Sequence, residues 1–113
     1  MARDPWAAVR DAPLFVVPRV LDGLRAYRAT FAGLPGNDAA RLTAEIDGLQ
    51  ERLLTGIEGH PTKSWVLKQL RKTLDAVGDL EPAARGQVRV ELERLMDILG
   101  IASADGALGE DFR

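Results

Sequence analysis

The sequence contains no cysteine. That excludes disulfides, thiol nucleophiles and Cys-ligated zinc or iron–sulfur sites. It has a single histidine, His60, so no site can draw two imidazoles from one chain. No stretch approaches 18 continuous apolar residues, and no transmembrane helix is expected. An excess of positive charge is missing too: fifteen basic residues oppose seventeen acidic ones, for a net charge of −2. That balance argues against a general nucleic-acid or anionic-membrane binder. The best candidate for a signal peptide, Ala12–Pro18, is short, broken by prolines and followed by no A-x-A-like site. With no cysteine and no export signal, a cytoplasmic location is expected.

What is present is a chain of 113 residues, 46% hydrophobic and 28% charged, which fits one globular domain. Four segments carry apolar residues at helical spacing. The first is expected over 18–34, with Pro18 at its first position and Val20, Leu24, Tyr27 and Phe31 on one face. Leu34-Pro35-Gly36-Asn37-Asp38 breaks it and offers Asp38 as the next N-cap. The second is expected over 39–58, with Leu42, Ile46, Leu49, Leu53 and Ile57 as its stripe. Gly48 and Gly56 weaken it by about 1 kcal/mol each against alanine.

The third is expected over 63–78, capped by Thr62, with Val66, Leu70, Leu74 and Val77 in register and Leu67 widening the face. The fourth is expected over 82–99, with Ala84, Val88, Leu92, Leu95 and Leu99. Gly100 suits the position after its end, and Ile101 the hydrophobic contact that follows. Val88–Leu92 alternates like a strand, but it lies inside a longer helical period. Each segment has one apolar face and needs partners to be stable. An all-α, antiparallel four-helix bundle is therefore expected. Trp6 and Leu14–Val17 should pack on it, with a short helix near Pro5–Asp11, and residues 101–113 should form an irregular tail.

The run Leu95-Met96-Asp97-Ile98-Leu99-Gly100-Ile101-Ala102-Ser103-Ala104-Asp105-Gly106-Ala107-Leu108 resembles the closing segment of a small bacterial helical family. That family is catalogued as domain of unknown function 4844. The resemblance implies a compact helical domain and carries over no catalytic residues.

Four groups merit attention as sites. Trp65, Lys68 and Lys72 share the outer side of the third helix, with Arg71 further round. A tryptophan among cations suits a stacking site or a protein contact, although the termini could also cover it. Asp47, Glu51 and Glu58 form an acidic face on the second helix, suited to a basic partner or simply solvated. The tail, Ser103–Asp111, holds oxygen ligands but lacks the EF-hand spacing, so no metal is expected. His60 lies in a turn with no nucleophile motif near it, and Ser64 and Ser103 lack a G-x-S-x-G context.

No cofactor and no enzymatic activity are expected. The leading expectation is a small binding protein with a protein partner, acting as an inhibitor, an immunity-type protein or an adaptor. Oppositely charged segments support it: residues 38–59 sum to −3 and residues 60–80 to +2. The alternative is single-stranded nucleic acid or a nucleotide held by Trp65, Lys68 and Lys72. An enzyme with a carboxylate site ranks last. A homodimer through Val90 and Trp65 is a further option, since both lie off the core faces.

Overall fold

The computed structural model describes residues 6–7, 9–109 and 112. Its helices are α1 (Pro18–Ala26), α2 (Gly36–Gly56), α3 (Lys63–Ala76) and α4 (Pro82–Leu99). The described residues contain no strand, only an isolated antiparallel bridge between Pro13 and Thr62. α1 packs on α2 and α4, and α3 packs on α2 and α4. Each helix thus has two neighbours, and the four stripes close around one core. The chain is an all-α four-helix domain, as its periodicity implies.

The expected stripe of α2 is buried along its whole length, from Leu42 to Ile57. Val66, Leu67, Leu70 and Val77 are buried on the α3 side, and Ala84, Val88, Leu92, Leu95 and Leu99 on α4. Thr62 caps α3 as expected: its Oγ1 accepts the Trp65 N–H at 3.3 Å. Gly100 ends α4 at φ 76°, a conformation that suits glycine. There the Ile101 N–H donates to the Met96 carbonyl at 2.9 Å and the Ile101 side chain is buried, which completes a Schellman-type end.

The first helix is half as long as its spacing suggests. It ends at Ala26, not near Leu34, because side chains from elsewhere take over its backbone partners. Gln50 Nε2 donates to the carbonyls of Leu24 and Tyr27, at 2.6 and 2.9 Å. The Arg28 guanidinium donates to the carbonyls of Arg25 and Tyr27. Beyond Tyr27, α4 holds the chain: the Thr30 N–H donates to Glu91, and Ala32 exchanges two bonds with the Gln87 amide. These bonds satisfy groups that helical bonds would otherwise pair. Tyr27 still turns inward, and Phe31 packs against the core.

Three boundaries move by less. α2 starts at Gly36 with Pro35 in the cap position, so Asp38 is not the cap but lies in the first turn, where its charge favours the helix dipole. α2 and α3 each stop two residues short of the expected ends, at Gly56 and Ala76. Helical turns then give way to the tight bends that reverse the chain.

The N-terminal segment packs on the bundle, as a strap. Its extended chain crosses the α2–α3 turn, with the Leu14 N–H donating to Pro61 at 2.7 Å and the Lys63 N–H to Ala12 at 2.9 Å. Asp11 Oδ1 accepts the Ser64 N–H at 2.8 Å. The expected short helix is replaced, where described, by one turn at Trp6–Ala7 and extended chain from Val9, because this pairing demands extended backbone. Pro5 and Ala8 of that span lie outside the described residues. The tail is irregular but tightly packed, with Ala104, Ala107 and Leu108 buried against the core. Its last expected acids, Glu110 and Asp111, lie outside the described residues.

Candidate functional site

Trp65 sits half-buried at the start of α3, between α2 and the turn before α3. Its ring stacks on His60, with centroids 5.4 Å apart and planes 14° from parallel. Its far edge covers Gly56: a methyl group there would lie 2.5 Å from Trp65 Cζ2. Gly56 is thus the residue that lets the indole approach α2, a role its helix-weakening composition did not reveal. Beside the ring lies a shallow depression of about 430 Å³, lined by Glu51, Arg52, Gly56, Trp65 and Gln69 among others. Arg52 is tied across it, donating to Gln69 and to Thr73 Oγ1.

The structure therefore brings Trp65 and Glu51 together but separates the other expected partners. Lys68 Nζ lies 5.8 Å from the centroid of Trp6, not against Trp65. Trp6 is 62 residues away in sequence, and no local pattern links the two. Arg71 Nε pairs with Asp75 at 3.1 Å, and its Nη1 points to the Ala107 carbonyl. Lys72 is exposed. Asp47 and Glu58 are exposed as well, and neither lines the depression.

The most exposed large apolar side chains lie elsewhere. Phe15 is 85% exposed, Val90 on α4 47% and Val17 46%, while Leu14 and Val16, beside Phe15 and Val17, turn inward. In the sequence Leu14-Phe15-Val16-Val17 is an unbroken apolar run, so no local alternation marks Phe15 and Val17 as the side chains left outside. A cleft of about 530 Å³ runs between this strap and the end of α4, with Leu14, Val20, Ile98 and Ile101 in its walls.

The described groups whose acidity departs from its ordinary value make bonds that hold the fold together. Burial, and then the bond to Glu91, push the Tyr27 phenol above its ordinary range, so it stays a donor. Arg41 donates to both carboxylate oxygens of Asp79 at 2.8 and 2.9 Å, which lowers that acid. The described residues bring no three His, Asp or Glu side chains together around a metal position.

Asp105 is the acid that ties both termini to the bundle. It accepts from Lys63 Nζ at 2.6 Å and from the Arg10 N–H at 2.9 Å. The first bond, then the second, lowers its pKa. A lowered carboxylate stabilises the fold above its unfolded value and loses that contribution as pH falls through the folded one. The strap should therefore loosen below about pH 4. Amide protection factors at Leu14 and Lys63 should fall there in the native chain, and Asp105→Asn should remove that dependence. Equal pH profiles in the two proteins would refute the tie.

No helix among the described residues is long and apolar enough to cross a membrane. Comparison with curated proteins and with solved structures found no match. The family described as Domain of unknown function (DUF4844) matches residues 26–111, from the end of α1 to the packed tail. With that span covering most of the chain and all of α2, α3 and α4, the protein belongs to the DUF4844 family.

Proposed function

We propose that the protein is a small binding protein whose partner is another protein, and that the partner docks on the strap. The supporting observation is the exposure of Phe15 on a segment that is otherwise held in place. Backbone bonds to Pro61 and Lys63 fix the strap before any partner arrives, which limits the ordering cost of association. Covering Phe15 would contribute about 1.5–3 kcal/mol, enough to make it an anchor in a partner's apolar hollow. Inhibitor, immunity-type and adaptor roles all fit such a ridge. A cytoplasmic setting belongs to the same proposal and rests on the cysteine-free composition.

The nucleic-acid alternative has less support. Its stacking residue is engaged by His60 and Gly56, and Lys68 lies over a different ring.

The test is capture from native extract at low salt, with the wild-type chain and Phe15→Ser side by side. Phe15 touches little, so circular dichroism should be unchanged. A specific protein retained by wild type and weakened about tenfold or more by the variant is expected. No specific protein, or equal retention by both chains, would overturn the proposal. Light scattering on the purified chain reports whether that partner is a second copy.

A further inference from the structure

The end of α3, the start of α4 and the tail enclose a cleft of about 480 Å³, a volume typical of small-molecule sites. Its chemistry differs from that of the strap. Arg71, Arg85 and Arg89 stand around apolar walls made by Leu74, Leu108 and Phe112. Among the described residues one carboxylate, Asp75, shares the lining and is bound to Arg71. Arg89 shares its charge with Glu93 at 3.2 Å. The Arg85 side chain has no hydrogen-bond or ion-pair partner among the described residues, while its backbone N–H donates to the Glu81 carbonyl.

Arg85 and Arg89 are four residues apart on one helix, so they are neighbours on one face. Like charges one turn apart oppose each other in the free protein, and an anion between them removes that opposition. Guanidinium groups match carboxylate and phosphate oxygens in pairs. The apolar walls require more than an inorganic ion to fill them. Gly86 leaves the α4 side of the cleft open, since a methyl group there would meet no atom within 4 Å.

The geometry points to a binding site for a small organic anion. Arg85 and Arg89 take its carboxylate or phosphate, and its aromatic or aliphatic body lies against Leu74, Leu108 and Phe112. This site is separate from the strap and stands or falls without it.

Calorimetric titration of the full chain with 1-naphthoate, 1-naphthyl phosphate and neutral 1-naphthylmethanol tests the assignment. At least one anion should bind saturably at or below about 1 mM, and the neutral compound about tenfold more weakly or not at all. The stronger anion identifies the preferred head group. Arg85→Gln and Arg89→Gln should each weaken binding about tenfold. Gly86→Leu should abolish it by filling the space, with the helical circular dichroism retained. Arg25→Gln, remote on α1, should leave it unchanged. Absence of binding by both anions at about 1 mM would overturn the assignment. So would equal binding of the neutral compound, or binding unaffected by Arg85→Gln and Gly86→Leu.

Discussion

Replacing Glu91 by alanine should cost about 3–5 kcal/mol in urea or thermal unfolding. Glu91 is only 4% exposed and is the point where α4 grips the loop after α1. Its Oε1 accepts from the Tyr27 hydroxyl at 2.8 Å and from the Thr30 N–H at 3.3 Å. Arg94 Nη1 donates to both carboxylate oxygens, at 2.9 and 3.0 Å. Truncation strands the Tyr27 hydroxyl in the core, and an unsatisfied buried donor alone costs about 1–3 kcal/mol. It also releases the segment that has no helix of its own to hold it.

Arg94 is half exposed, but its replacement leaves the buried Glu91 carboxylate without its cation, so Arg94→Ala should cost about 1–3 kcal/mol. Glu91→Gln keeps an acceptor for Tyr27 and should lie between the two. A double-mutant cycle with Tyr27→Phe should show coupling, since both changes break the same bond. A loss below about 1 kcal/mol for Glu91→Ala would mean that water replaces the carboxylate freely.

That cluster also shows where local pattern runs out. Val20, Leu24, Tyr27 and Phe31 are spaced like one helical face, and all four do reach the core or its margin. Only the first two do so from α1. Tyr27 and Phe31 arrive from extended chain, because Gln50, Gln87 and Glu91 supply the bonds that a helix would have made internally. Those three polar residues lie 23 to 64 positions away from the groups they satisfy. Nothing near Tyr27 in the sequence announces them. α2, α3 and α4 were legible because their stripes are long and their neighbours are other stripes.

The candidate sites follow the same division. Helical spacing sets Trp65 off the apolar stripe of α3, yet its ring is half-buried and packs against the core, and Gly56 on α2 determines how deeply it sits. The arginine cleft combines three parts of the chain, and no one of them carries a motif. The closing segment, Leu95–Leu108, was the stretch whose resemblance could be recognised, and the family match extends far upstream of it. The strap precedes residue 26 and lies outside that match, whereas Arg71, Arg85 and Arg89 lie inside it. The matched span therefore covers the three arginines of the cleft and not the strap.

Leu70→Ala should lower stability by about 2–5 kcal/mol, since it combines the lost transfer energy of a buried side chain with a cavity. Leu70 is fully buried, one turn from Val66 and one from Leu74, on the helix that packs against both α2 and α4. Neither neighbour can close the gap without leaving its other contacts. Domains of this size retain only about 5–15 kcal/mol in total, so the variant should approach the limit of folding at elevated temperature. The denaturation midpoint should fall with the slope unchanged, because the same surface is exposed on unfolding. Phe15→Ser is the internal contrast: a comparably large apolar side chain, removed where it covers nothing, should move stability by no more than about 0.5 kcal/mol. If the two variants lost similar stability, Phe15 would be packed in solution and unavailable to a partner. If Leu70→Ala lost less than about 1 kcal/mol, the four stripes would not meet as the structure places them.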